Sequence, residues 1–100
     1  MNDLIRQAQM MQKKMASMQE ELNKKEVEAT SGGGMVRVKV NGAKEVLEIG
    51  IDPSVVDSEE VDMLQDLIVA ATNEALKKAG DMVQSEMSEI TGGMNIPGMF

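Results

Sequence analysis

Apolar residues recur at alternating steps of four and three along the first quarter of the chain, which is the spacing of an amphipathic helix. These residues, which we call the apolar seam, are Leu4, Ala8, Met11, Met15, Met18 and Leu22. They predict a first helix from about Asp3 to Lys25, roughly 33 Å long at about 1.5 Å per residue. The sheet predicted to follow is too short to cover this seam. We therefore expect a second copy of the chain or another partner to do so.

The opposite side of the predicted first helix is basic. With about 100° of rotation per residue, the side chains of Arg6, Lys13 and Lys24 fall on one line, which we call the basic stripe. A solvated outer face would show this spacing as readily as a surface that binds phosphate groups. The spacing alone leaves both interpretations open.

The apolar period changes to two between Val27 and Ile51, which is typical of strands with one buried face. The alternating positions are Val27, Ala29, Val36, Val38, Val40, Leu47, Ile49 and Ile51. Turns are predicted at Gly32–Gly34 and at Asn41-Gly42, because glycine and asparagine tolerate positive φ. This segment is predicted to be a three-stranded antiparallel meander.

A four-residue loop, 41–44, gives the predicted register of the second and third strands. It places Leu47 and Ile49 on the buried face with the valines of the second strand, and it pairs Arg37 with Glu48 on the other face. A three-residue loop would turn the apolar residues of the third strand outwards.

A second helix is predicted from about Ser58 to Ser88. Asp52-Pro53 ends the sheet, because proline donates no hydrogen bond and restricts the residue before it. Asp57, with Glu60 three residues later, is predicted to form a capping box at the helix start. The helix has a broad apolar face suited to covering the sheet.

The elements give the order α-β-β-β-α, an α+β fold in which two long helices flank the meander. Residues 1–90 are predicted to form a single domain. Residues 91–100 contain glycines and a proline and lack periodicity, so they are predicted to be a flexible C-terminal tail.

Charge is unevenly distributed along the chain. The net charge of the 100 residues is −7, yet residues 1–50 carry eight basic and seven acidic side chains, and residues 51–100 carry two basic and ten acidic ones. A polyanion would therefore have to meet the first helix. Stacking on unpaired bases is disfavoured because Phe100 is the only aromatic residue, which leaves duplex binding through phosphate contacts.

The sequence offers little support for catalysis or for a cofactor. It has no histidine and no cysteine, so the usual general base and the strongest nucleophile are absent. Asp52, Asp57 and Asp62 fit helix capping better than a paired-carboxylate or metal site. No secretory signal and no apolar run of about 18 residues is visible. We expect a cytoplasmic protein that is not an enzyme and that uses no cofactor, metal, membrane or small-molecule substrate.

Several segments resemble the YbaB/EbfC family of bacterial nucleoid-associated proteins. After a helix rich in glutamine and methionine, the resemblance is carried by KKEVEATSGGGMVRVKVNGAKEVLEIGIDPSVVD and MLQDLIVAATNEALKKA, and it covers roughly residues 1–90. It implies a homodimer whose paired sheets and helices leave the long helices projecting like tweezers. It also implies double-stranded DNA binding with little or modest sequence preference, and a role in nucleoid organisation and gene regulation.

The family geometry would place the DNA contacts on the projecting helices. Joined to the local charge, it nominates five residues for nucleic-acid binding: Arg6, Lys13, Lys14, Lys24 and Lys25. The dimer interface is predicted to include Leu4, Met11, Met15, Met18 and Leu22. The alternative is a protein-interaction adaptor, in which the apolar seam docks the helix of another protein without direct DNA binding.

Overall fold

The computed structural model describes residues 2–90. Its elements are α1 (Asn2–Lys24), β1 (Glu26–Ser31), β2 (Val36–Asn41), β3 (Val46–Ile51) and α2 (Val61–Ile90), with short 3₁₀ turns at Gly32–Gly34 and Pro53–Val55. This order confirms the predicted α-β-β-β-α arrangement and the α+β class. The predicted flexible tail, 91–100, lies outside the described residues.

The three strands form one antiparallel sheet in the order β1-β2-β3, as the predicted meander requires. Val36 lies opposite Ile51, and Val38 lies opposite Ile49. Residues directly opposite one another in antiparallel strands share a face. The prediction that the valines of β2 and the isoleucines of β3 share one face is therefore confirmed.

The predicted pairing of Arg37 with Glu48 is wrong. Arg37 lies opposite Gly50, and Glu48 lies opposite Lys39, where the Lys39 Nζ and a Glu48 carboxylate oxygen are 3.5 Å apart. This register differs from the predicted one by two residues. Because the side-chain period of a strand is two, such a shift changes the partners and leaves the faces unchanged.

A bulge explains the difference. Val40 pairs with Val46, which is the register of a five-residue loop, 41–45, and the pairing shifts between Lys39 and Val40. Leu47 is the extra residue of β3 at this point. The inserted residue returns the rest of β3 to the face of the β2 valines.

The core lies between α2 and the first two strands. Ala71, Ala75 and Ala79 are fully buried, and so are the β2 valines, 36, 38 and 40. Alanines at steps of four line one face of a helix, and their small side chains allow its backbone to approach the sheet closely. The predicted role of the second helix as the cover of the sheet is confirmed for β1 and β2.

The third strand is not covered, so the prediction that its apolar residues are buried is wrong for the single chain. Leu47, Ile49 and Ile51 are 47%, 45% and 37% exposed. A helix is about 10 Å wide and strands lie about 4.8 Å apart, so α2 centred over β1 and β2 leaves the edge strand open.

The second helix begins later than predicted. The predicted capping residue Asp57 instead closes a turn, in which its carboxylate accepts a 2.9 Å hydrogen bond from the backbone N–H of Glu59. The backbone N–H of Leu64 donates to the carbonyl oxygen of Glu60, which makes Glu60 the residue that precedes the helix. Asp52 has a similar turn role, and the hydrogen bond from the backbone N–H of Ser54 lowers the pKa of its carboxyl group.

The two predicted turns differ in how they use glycine. All three glycines of 32–34 have positive φ, as predicted. In the β2–β3 loop the positive φ belongs to Lys44, at 62°, and not to Gly42. The prediction that Gly42 provides a positive φ is therefore wrong. Its close backbone neighbours on α1 explain the glycine instead.

The first helix projects from the rest of the chain. Leu22 is its only buried residue among those described, and Leu4 and Met11 of the apolar seam are 69% and 58% exposed. The molecule measures 70 × 22 × 16 Å. This confirms that the sheet of the same chain is too short to cover the whole apolar seam.

Candidate nucleic-acid interface

Two members of the basic stripe line one shallow groove on α1. Arg6 and Lys13 are both exposed and border it together with Gln9 and Gln12. Guanidinium, ammonium and amide groups are the usual donors to the phosphate oxygens of nucleic acids. The two glutamines were not predicted as site residues, although their spacing from Arg6 and Lys13 on the helix could have indicated them.

The remaining predicted cations occupy different positions. Lys24 ends α1 on the same stripe, roughly 27 Å along the helix axis from Arg6 at about 1.5 Å per residue. Lys14 is exposed beside the groove residues, on another side of the helix. Lys25 follows the helix, and its ammonium group forms an ion pair with the carboxylate of Glu86 on α2.

The cations of the sheet are already paired with acids. On the outer face, Arg37 pairs with Glu28 at 3.5 Å, and Lys39 contacts both Glu26, at 3.7 Å, and Glu48. By contrast, Arg6 and the lysines at 13, 14 and 24 form no ion pair within residues 2–90. Lys44, Lys77 and Lys78 also lack an ion pair within these residues, so α1 holds four of the seven cations that are open to an external anion.

The acids considered for catalysis or metal binding do not form a site. Asp52 and Asp57 each accept a hydrogen bond from a nearby backbone N–H, and Asp62 lies in the first turn of α2. Across the described residues, no three acids come close enough together to hold a metal ion. No helix between residues 2 and 90 is both long and apolar enough to cross a membrane.

The structure separates the predicted dimer-interface residues into three groups. Leu4 and Met11 are exposed, whereas Met15 and Met18 are partly buried. Leu22 is only 3% exposed and packs within its own chain. The outer part of the apolar seam is therefore the part that is open to a partner.

A second open apolar surface, which the sequence analysis missed, is the β3 face, formed by Ile49 and Ile51. Both isoleucines lie on the edge strand and are exposed. On α2, Val69 is also exposed.

Comparison with known proteins places these features in a family. A family model described as the YbaB/EbfC DNA-binding family matches residues 1–94. A nucleoid-associated protein of Thermoanaerobacter pseudethanolicus is 56% identical over 99 residues, which make up 99% of this chain and 89% of that protein. A nucleoid-associated protein of Alkaliphilus metalliredigens is 58% identical over 100 residues, which make up 100% of this chain and 88% of that protein.

The fold is also found in a solved structure. The crystal structure of an uncharacterized protein from Helicobacter pylori is similar with a TM-score of 0.75 and 25% sequence identity, over 88% of this chain and 92% of that one. The family is described as DNA-binding and both relatives as nucleoid-associated proteins, in agreement with the prediction that this chain is not an enzyme. Since the family model spans almost its whole length, this chain belongs to the YbaB/EbfC DNA-binding family.

Proposed function

We propose that this protein is a nucleoid-associated protein that binds double-stranded DNA as a homodimer, with little or modest sequence specificity. In this role it contributes to nucleoid organisation and gene regulation in the cytoplasm. The observation that carries the proposal is the projecting helix α1, whose unpaired cations form a row in a chain of a DNA-binding family.

The proposed DNA contacts are phosphate contacts from α1. Arg6 and Lys13 supply the groove, Lys24 extends the basic stripe, and Lys14 and Lys25 flank it. Contacts of this kind fix a protein on the duplex without reading its sequence. Sequence reading needs side chains in register with base edges, and a single row of lysines and arginines on an arm supports backbone binding better.

The net charge of −7 does not exclude this function, because α1 carries four basic side chains against three acidic ones and most of the acids lie in the second half of the chain. Ten of the acids lie in residues 51–100, where α2 and the preceding turns hold them. Exposed charges more than about 10 Å apart are largely screened at about 0.1 M salt. Arg6 and Lys13, on the exposed outer part of α1, can therefore meet phosphates although Glu86 of the acidic half pairs with Lys25 at the other end of the helix.

The homodimer is proposed on the two uncovered apolar surfaces. The β3 face leaves two isoleucines about 40% exposed on a protein of 100 residues, and a second copy would bury them. The open part of the apolar seam, Leu4 and Met11 with the partly buried Met15 and Met18, is available to the same partner. Leu22 would support this contact from within its own chain. Dimerisation would double the number of cationic arms.

Reversing the charge of the arm tests the proposed DNA contacts. In Lys13→Glu/Lys14→Glu, we expect affinity for every duplex to fall by a similar factor, at least about tenfold, because two phosphate contacts per protomer are lost. Fluorescence anisotropy with several unrelated duplexes measures this. Lys77→Glu/Lys78→Glu is the matched control, since it changes the net charge equally on α2, and we expect a much smaller loss.

Two outcomes would contradict the proposal. An equal loss in both double variants would show that net charge, and not α1, governs binding. If the unmodified protein failed to bind any duplex but captured a protein partner that survived nuclease treatment, the adaptor alternative would replace DNA binding.

A further inference from the structure

The first helix is attached to the sheet at one place. Leu22 is its single buried residue among those described, and the chain turns immediately afterwards, where the backbone N–H of Lys25 donates a 3.1 Å hydrogen bond to the Leu22 carbonyl oxygen. Met15 and Met18 are partly buried, and residues 2–14 of α1 are exposed. The direction of the exposed arm therefore depends on the contacts at the Leu22 end of the helix.

Gly42 is the part of the sheet that meets the attachment. Its backbone N–H donates a 3.0 Å hydrogen bond to the carbonyl oxygen of Lys25. A Cβ at this position would lie 2.0 Å from the Leu22 carbonyl oxygen, 2.8 Å from the Leu22 carbonyl carbon and 3.3 Å from the Cα of Asn23. These neighbours are backbone atoms, so no side-chain rotation can make room. Any side chain at position 42 must move α1 or the loop.

The loop that carries Gly42 is held in place. The side-chain oxygen of Asn41 accepts 3.0 Å hydrogen bonds from the backbone N–H groups of Ala43 and Glu45, and its amide nitrogen donates to the Glu45 carboxylate at 2.9 Å. Asn41 itself is buried. With the loop fixed by these bonds, a collision at position 42 is relieved by displacing α1.

We propose that Gly42 is a positioning residue for DNA binding: by letting the Leu22 carbonyl pack directly on its backbone, it sets the angle at which α1 leaves the sheet. This inference rests on the proposed function, in which α1 carries the phosphate contacts. The requirement at Gly42 is for space, since its φ is not positive.

The test replaces Gly42 and follows the arm directly. The chain has no cysteine, so nitroxide labels can be attached at Gln9→Cys on α1 and Ser58→Cys before α2, both exposed positions. Double electron–electron resonance measures the distance between the two nitroxides. Diluting labelled protein in unlabelled protein restricts the measurement to labels within one protomer. In Gly42→Ala we expect this distance to change.

The second measurement is the salt dependence of duplex binding by the unlabelled variant. A displaced arm reaches fewer phosphates, and each lost phosphate contact makes the slope of log K against log salt shallower by about 0.9. We expect the Gly42→Ala slope to be shallower by about one to two. A loss of stability alone would reduce the folded fraction without changing this slope.

Gly50→Ala is the matched control. Gly50 also has no positive φ, and a Cβ there would approach only the guanidinium of Arg37, at 3.1 Å, which is the end of a flexible side chain. We expect the wild-type distance and slope. If Gly42→Ala fails to fold, Leu22→Ala loosens the same attachment from the helix side and should broaden the distance distribution.

A wild-type distance in folded Gly42→Ala would overturn the inference, as would a wild-type distribution in Leu22→Ala if Gly42→Ala does not fold. The label distance is measured without DNA, so an unchanged distance rejects the role of Gly42 independently of the proposed function. The proposed function would fail if the unmodified protein bound no duplex.

Discussion

Lys25 has one partner within the chain, Glu86, and a second, proposed partner in a DNA phosphate group. Its ammonium group pairs with Glu86, and the same group is a proposed phosphate contact. Both side chains of this pair are partly exposed, and exposed ion pairs contribute only about 0–1 kcal/mol to stability. The pair is therefore easily exchanged for a contact with DNA.

Releasing Lys25 should strengthen DNA binding. In Glu86→Gln we expect duplex affinity to rise about two- to tenfold, and the salt slope to steepen by up to about 0.9 per protomer, because Lys25 becomes free for a phosphate. Titrations at several salt concentrations measure both quantities.

The control for this prediction is Glu89→Gln, which removes the same charge near the end of the same helix from an acid without an ion pair among the described residues. A similar gain in both variants would show that only the net charge matters.

Single residues also show where prediction from sequence reaches its limit. Asn41-Gly42 indicated a turn, but a glycine required for a close approach looks the same in sequence as one required for positive φ. The pairing of Lys25 with Glu86 joins positions 61 apart, and no local pattern indicates it. The predicted cations on α1 needed only helical periodicity, so their exposure followed from the sequence.

At the scale of elements, the row of small residues on α2 determines how closely the helix approaches the sheet. Ala71, Ala75 and Ala79 are fully buried against the β2 valines. Enlarging the middle residue should separate these layers. For Ala75→Leu we expect the free energy of unfolding to fall by about 1–3 kcal/mol or more, as overpacking a dense core requires.

Urea unfolding followed by circular dichroism measures this loss. Ala70→Leu is the matched control, because Ala70 is an exposed neighbour on the same helix, and we expect a change within about 0.5 kcal/mol there. If both leucine variants were equally stable, α2 would not be packed through its alanine row.

The elements themselves were well predicted because their periods differ clearly between helix and strand. The two-residue shift between β2 and β3 was not predictable, since an even shift preserves every face and the hydrophobic pattern cannot detect it. The exposure of β3 was missed for another reason. Alternation shows that one face is apolar, but the position of the covering helix depends on contacts across the whole chain.

At the scale of the whole molecule, residues 2–90 present two uncovered apolar surfaces and a row of open cations on α1. The β3 face lies at the edge of the sheet, and the outer apolar seam lies on the projecting arm. The proposed homodimer accounts for both surfaces and sets two copies of the basic stripe on one particle. A protomer alone would present only one arm to DNA.

If the β3 face forms the dimer interface, a polar residue there should weaken dimerisation. Fully burying an isoleucine side chain contributes about 1.5–3 kcal/mol; Ile49 is 45% exposed, so the dimer would gain about half of this from each of its two copies. We expect Ile49→Gln to weaken dimerisation by at least about tenfold, because about 1.4 kcal/mol corresponds to a tenfold change. Val56→Gln, at an exposed valine outside the β3 face, is the control.

DNA binding by paired α1 arms is tested by the salt dependence of duplex binding, compared between the unmodified protein and Ile49→Gln. We expect log K to fall linearly with log salt for unrelated duplexes alike, with a slope for the dimer about twice that of the dissociated variant, since each arm contributes equal phosphate contacts. A slope near zero for the unmodified protein would contradict DNA binding through α1. Equal slopes for a dimer and a confirmed monomer would contradict the paired arms.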